Sequence, residues 1–266
     1  MKKKLRTISI VLIILSALFF LAEGRMLIMA KSMGYKALKV FAYYKSTEFS
    51  KDVDSFETDH FIINNIGADN NTAKELGNLL EKSYYLIGKE FNYYPIQKTP
   101  IFIYGSMENF WEKNKALDGQ AVMGLYQMGV IHIVVPEVFD MNLYEFEKNG
   151  PVLHEYTHKA VDDLCGGNME IWFTEGLALL QEYEQYGTEW GEGMEFDDKY
   201  TIEELRGDFM KLDEIKAYRE SFEAVKGIYD DYGKEKMLGF LNELRKGNDM
   251  ESAFSGVYGE SLENRK

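Results

Sequence analysis

Two histidines and two glutamates carry the most specific chemistry in this chain: His154, Glu155, His158 and, on a later segment, Glu175. On a helix, His four residues apart project from one face, about one turn apart. Both imidazoles then reach a single Zn²⁺, and the Glu beside the first His can hold a proton taken from a zinc-activated water. The chain has 4 His, so this pair uses half of them. A catalytic zinc usually takes three protein ligands and leaves one position for water. Trp172-Phe173-Thr174-Glu175-Gly176-Leu177-Ala178 offers the third. Glu175 sits in an otherwise apolar helix start, where an unpaired carboxylate is costly to bury, and ligation explains it. The plainer alternatives are a pair of half-buried helix histidines, a surface Glu155, and a Glu175 that merely complements a helix dipole. Asp162, Asp163 and Glu182 are rival carboxylates. Asp162, four residues after His158, is either an acid that orients an imidazole or a solvated one.

The surrounding sequence supplies the elements these residues need. Pro151 suits a first helical turn, and Gly166-Gly167 suits a helix end. Val152, Leu153, Tyr156, Ala160, Val161 and Leu164 give an apolar stripe, so the spacing predicts a helix over 151–165. A second helix over 172–186 has Leu177, Leu179, Leu180 and Tyr183 inward and Gln181, Glu182, Glu184 and Gln185 outward, with Gly187 as its stop. Gly176 costs about 1 kcal/mol in a helix relative to Ala, which is explained if this helix closely approaches the 151–165 helix. Upstream, 56–66 has strand character and Asn64-Asn65 with Gly67 suggests a turn. Thr72–Phe91 reads as a long helix and Ile101–Tyr104 as a short buried strand. Ser106 is placed to cap a helix holding Phe110 and Trp111. Gly119–Pro136 suggests one or two strands near a sheet edge. Thr188–Lys199 reads as a loop, its acids Glu195, Asp197 and Asp198 matching no calcium-loop spacing. The tail 201–262 is helical, with breaks at Gly207, Gly233 and Gly247.

At this point the chain resembles the gluzincin metallopeptidases of the peptidase-MA-like group. Their pattern is His-Glu-x-x-His, a short loop, and a second helix opening Trp-x-x-Glu-Gly-x-Ala, and both halves stand here at His154–His158 and Trp172–Ala178. The similarity extends more weakly across roughly 55–262, through His60-Phe61-Ile62-Ile63, Pro100–Tyr104 and the stretch from Tyr232-Gly233 to Gly247. Glu170 departs from the pattern, which often has Pro there, and implies a less rigid linking loop. The resemblance implies an α+β, zincin-like fold. Its domain spans 55–266, with a sheet-containing half at 55–150, a helical half at 151–266 and the site in the cleft between. It also implies one Zn²⁺ per chain held by His154, His158 and Glu175, Glu155 as general base, and hydrolysis of peptide bonds. The edge strand, either Gly124–Gln127 or Val130–Val134, would pair with an extended substrate. A Tyr or His from the helical half would share the developing negative charge, and Tyr218 is the candidate.

Composition bounds the rest. The length of 266 residues suffices for a real core in one or two domains. Lys2, Lys3, Lys4 and Arg6 precede the uncharged, mainly apolar run 8–22, a cleaved signal or a retained membrane anchor. Either places the remainder outside the cytoplasm. Segment 1–30 is accordingly read as signal peptide or anchor, with a slight preference for the anchor, and 31–54 as a helical stalk or linker without a clear core face. The formal charge is −14. Residues 1–25 hold five basic residues and one Glu, so the remainder carries −18. Such acidity argues against nucleic acid and against a polybasic grip on anionic lipid. The single Cys, Cys165, excludes an intrachain disulfide and reads as a small buried residue. His132 reads as a strand histidine and His60 as structural. The expected partners are a peptide or protein substrate and, through an uncleaved N-terminal segment, a membrane. The alternative function is a membrane-tethered zinc-binding scaffold or binding module without turnover, against which an intact Glu155 argues. An intramembrane protease is excluded by Glu147, Lys148, Lys159 and Asp163 around the motif helix and by the single possible span.

Overall fold

The protein is described by a computed structural model covering the backbone of residues 2–194 and 196–265 and the side chains of residues 26–194 and 196–265. A long helix α1 (Lys2–Phe49) leads into a mixed five-stranded sheet with strand order β1-β2-β3-β5-β4. The strands are β1 (Asp54–Glu57), β2 (Phe61–Ile66), β3 (Thr99–Tyr104), β4 (Gly124–Gln127) and β5 (Val130–Val134). β2, β3 and β5 run parallel, while β1 and β4 are antiparallel edges. The three parallel strands are largely apolar on both faces, as suits strands covered on both sides, with Asn64, Asn65 and His132 among the exceptions. Phe61, Ile63, Ile101, Ile103, Ile131 and Ile133 enter the main core beneath α2 (Asn70–Phe91) and α5 (Pro151–Cys165). Phe102, Tyr104, Val130 and Val134 face the other way, onto Phe110 of α3 (Met107–Lys113) and Ala42 and Phe49 of α1. A run of helices follows: α4 (Leu143–Asn149), α5, α6 (Ile171–Tyr186), α7 (Ile202–Arg206), α8 (Glu214–Arg245) and α9 (Met250–Tyr258). The class is α+β, a sheet half followed by a mostly helical half.

Local signals set most boundaries. Asp69 caps α2 by accepting from the Asn71 and Thr72 N–H groups, and Ser106 caps α3 by accepting from Asn109 N–H. Pro151 opens α5 and Gly166 closes it in the left-handed conformation, φ 68°. Asn64 and Asn65 lie inside β2 rather than in a turn. The buried Asn64 amide donates to Ile101 C=O, and Asn65 bridges Ala68 and Asn70. The turn comes after them, at Gly67–Asp69. Gly176 serves a different neighbour from the expected one. A Cβ there would stand 2.6 Å from Val225 Cγ2 and would overlap the Ser221 carbonyl, so the close approach is between α6 and α8, not α5. Gln181 and Glu182 are buried on α6 rather than turned to solvent, because α5 packs on one side of this helix and α8 on the other.

Of the 31–54 segment, residues 31–49 are the second half of α1 and make specific contacts with the motif helix, and Asp54 already opens β1. Ser32 Oγ donates to Gly166 C=O at 2.6 Å, Tyr35 OH to Asp162 at 3.4 Å, and Lys39 Nζ to Asp162 at 2.6 Å. Lys39 also pairs with Asp163. Among the described residues no helix is long and apolar enough to cross a membrane. The run 8–22, on which the signal-or-anchor expectation rests, lies outside the residues whose side chains are described.

Candidate metal centre and catalytic cleft

α5 and α6 pack against each other and bring the ligand set together. His154 Nε2 lies 3.2 Å from Glu175 Oε2, and His158 Nε2 lies 3.4 Å from the same oxygen. The imidazole rings stand 4.7 Å apart at 80°, and candidate ligand atoms of all three residues fall within 4.8 Å of one another. Atoms about 2.0–2.1 Å from a tetrahedral zinc lie roughly 3.3–3.4 Å from each other. The two nitrogen–oxygen distances match that edge, so the donor set fits a zinc ion.

The far side of each ring is also held. His154 Nδ1 is 3.0 Å from Glu182 Oε1, and His158 Nδ1 is 2.9 Å from Thr174 Oγ1. With hydrogen on each Nδ1 donating to these oxygens, both Nε2 lone pairs face Glu175, the tautomer a metal ligand needs. Burial opposes charge on His154, but Glu182 and Glu175 outweigh it and raise its pKa well above the ordinary value. Burial likewise disfavours the Glu175 carboxylate, yet His158 and His154 hold its pKa far below the usual range. The pocket thus favours positive charge at the Nε2 edge of the rings.

Glu155 projects from α5 toward β4 and is buried, with the Tyr126 backbone the smallest of the influences on its carboxyl. Burial raises its pKa, offset in part by His158 and His154. Gly124 makes the approach possible, since a Cβ there would stand 2.9 Å from Glu155 Cγ. β5 lies inside the sheet and β4 at its edge. Met123 C=O accepts from Val134 N–H, and by antiparallel alternation Gly124 and Tyr126 turn their backbone groups away from β5, toward the cleft. Tyr218, near the start of α8, lines the same cleft of about 610 Å³. Burial raises its pKa, reinforced by the nearby Glu175 carboxylate.

His154, Glu155, His158, Glu175 and Tyr218 therefore surround one cavity. Sequence reasoning missed Glu182 and Thr174 as partners of the imidazoles. Glu182 lies seven residues after Glu175, two helical turns on the same face, which was the available signal. Asp162 does not touch an imidazole. Its carboxylate accepts from Lys39 and from the Tyr126 hydroxyl. Glu170 ties its loop down, accepting from Trp172 Nε1 at 2.9 Å and pairing with Arg206 at 3.0 Å. His60 pairs with Glu81 at 2.5 Å and stacks on Tyr84, and His132 Nδ1 shares a hydrogen bond with Tyr104 OH at 2.7 Å, both away from the cleft. Cys165 is buried, with its thiol pKa pushed up to about 12 by burial, which makes it inert. Of the acids in the 188–199 loop, Glu195 lies outside the described residues, and Asp198 pairs with Lys216 at 2.9 Å.

Residues 140–265 match the protein family described as the Peptidase MA superfamily. No curated protein matches the chain. The second half of the chain is thus a Peptidase MA superfamily domain carrying a His154, His158, Glu175 candidate zinc site, consistent with the gluzincin arrangement.

Proposed function

We propose that this protein is a zinc-dependent peptidase. The observation that carries the reading is the convergence of both Nε2 atoms on Glu175 Oε2 at tetrahedral-edge distances, with each Nδ1 already engaged. His154, His158 and Glu175 would hold the ion, with Glu182 and Thr174 fixing the rings. A zinc bound there supplies a Lewis acid that lowers the pKa of a water and polarises a carbonyl. Glu155 accepts the water proton and passes it to the leaving amine. Tyr218 OH donates toward the oxygen on which negative charge grows. The outward backbone groups of Gly124 and Tyr126 line an edge along which an extended peptide adds as a further strand.

The proposed setting is extracytoplasmic, with residues 1–30 as a membrane anchor or cleaved signal. If the anchor is kept, α1 runs unbroken from Ala22 to Tyr35, about 20 Å at 1.5 Å per residue. That length would hold the cleft close to the membrane. The net charge of −14 supports a partner other than nucleic acid.

Metal analysis and digestion of a mixed peptide library test the reading together. Wild type should hold one zinc per chain and cleave, and a chelator should stop cleavage. Glu155→Gln should keep the zinc and lose about 10²–10⁴-fold in rate. Glu175→Ala should lose the zinc. Zinc content unchanged in Glu175→Ala removes that residue from the site. A wild type that holds zinc but cleaves no peptide favours the scaffold alternative.

A further inference from the structure

Two cavities meet at a pair of side chains. The catalytic cleft, about 610 Å³, and a second cavity of about 510 Å³ between α1 and the 95–100 segment share Tyr35 and Asp162 in their walls. Tyr35 belongs to α1, which lies wholly outside the matched segment 140–265. Its ring rests on the Gly167 backbone, where any Cβ would overlap it, and Gly167 takes φ 76°, a conformation that itself favours Gly. Its hydroxyl reaches Asp162 at 3.4 Å. Ser32 and Lys39, roughly one turn to either side on the same helix face, pin α1 to Gly166, Asp162 and Asp163. The ring is thus held by Gly167 and Asp162, on a helix pinned on both sides of it, at the end of the cleft where α5 finishes.

We infer that Tyr35 is a specificity-determining residue. It closes one end of the catalytic cleft, so the protein cleaves peptides that have only a short stretch on that side of the scissile bond. Asp162 stands one turn, about 6 Å, past His158. An extended peptide rising about 3.3 Å per residue therefore meets the ring within about three residues of the reacting carbonyl. Beyond the ring, the second cavity is lined by Lys36, Tyr43, Tyr44 and Lys159 together with Asp162 and Asp163. It is large enough for further residues once the partition is gone. The inference rests on the peptidase reading.

The test uses the full chain loaded with zinc and mixed-sequence peptides of graded length, with cut sites mapped by mass spectrometry. Wild type should cut at a fixed short distance from one terminus, whatever the peptide length. Tyr35→Ala should move cuts inward and raise the rate on long relative to short peptides by about tenfold or more, the range expected for a changed pocket contact. Tyr35→Phe keeps the ring, loses the hydroxyl and should retain the wild-type pattern. Tyr35→Val is a second opening variant should Tyr35→Ala fail to fold, and it should shift cuts in the same direction. Cut positions unchanged in the opening variants, or wild-type cuts scattered through long peptides, overturn the inference while leaving the peptidase reading intact. A zinc-loaded wild type that cuts nothing ends both.

Discussion

Helix α5 carries two clusters of buried charge, and they are built on opposite principles. At its N-terminal half His154 and His158 face Glu175 and Glu182. One turn further on, Asp162 and Asp163 face Lys39 and Lys159, with Tyr35, Tyr93 and Tyr126 supplying hydroxyls. In the second cluster each charge has an opposite charge beside it, and the hydroxyls fill the remaining carboxylate valences, so the group closes on itself. In the first cluster two carboxylates surround two imidazoles whose Nε2 lone pairs point at one place. A closed network locks elements together, whereas an arrangement with converging donors is completed by something it binds. The two clusters also differ in reach. The ligand set comes from α5 and α6, next to each other in sequence, whereas the closed network joins α1, α2's C-terminal flank, β4 and α5.

Removing one member of the closed cluster should therefore have the largest effect on stability. Asp163 pairs with Lys159 at 2.7 Å and with Lys39, and accepts from Tyr93. Asp163→Asn leaves Lys159, whose side chain is 8% exposed, facing an amide. The expected cost is about 3 kcal/mol, the low end for breaking a buried pair, read as a lower urea midpoint with unchanged slope. Although burial opposes it, Lys159 and Lys39 hold the Asp163 pKa well below the usual range. Its contribution is thus present above the unfolded value near 3.9 and lost as pH falls below it. The stability difference between wild type and variant should shrink in that window. A difference that does not shrink at all between about pH 4 and pH 2 would mean the carboxylate charge is not what stabilises this corner.

In the open cluster the corresponding substitution should act on binding instead. Glu182→Gln keeps an oxygen near His154 Nδ1 but removes the charge that faces the imidazole. Loss of such a partner typically costs 10–100-fold in metal affinity, so zinc competition with a chelator should show a shift of that size. The metal-free fold should melt within a few degrees of wild type. An unchanged zinc affinity would reduce Glu182 to a packing role and erase the distinction between the clusters.

How much of this could be read from the sequence follows the same division. The 151–165 helix and its capping residues, the second helix and Glu175 were legible because their signals are local: a Pro start, a Gly stop, a four-residue spacing, an acid in an apolar run. Glu182 was placed outward because α6 is packed on two sides, so a polar residue on it need not face water. For Asp162 the sequence offers only an imidazole or solvent, because helical spacing is visible in sequence, whereas Tyr126 and Lys39 arrive from β4 and α1, 36 and 123 residues away. The contacts of α1 were missed for a related reason. Its docking face is a Ser, a Tyr and a Lys at positions 32, 35 and 39, a polar spacing that hydrophobic periodicity does not register. The choice between β4 and β5 as the edge required strand order, which depends on nonlocal pairing.

His132 sharpens the comparison from outside both clusters. It is held by a single neutral partner, Tyr104 OH at 2.7 Å, and stacks on Phe102 at 5.2 Å between ring centres. With no carboxylate among these contacts, burial alone acts, and its pKa falls to about 4, opposite in direction to His154. As pH drops below about 6.5, the unfolded chain takes up the proton first, so this residue costs stability progressively between about pH 6.5 and 4. His132→Gln keeps a hydrogen-bonding group, donor or acceptor, for Tyr104 and does not titrate. Measured in chelator for both proteins, wild type should lose about 1 kcal/mol more than the variant between pH 6.5 and 5.5. Parallel stability curves over that range would show that His132 protonates freely in the fold, and that burial without a charged partner does not separate it from the candidate ligand histidines.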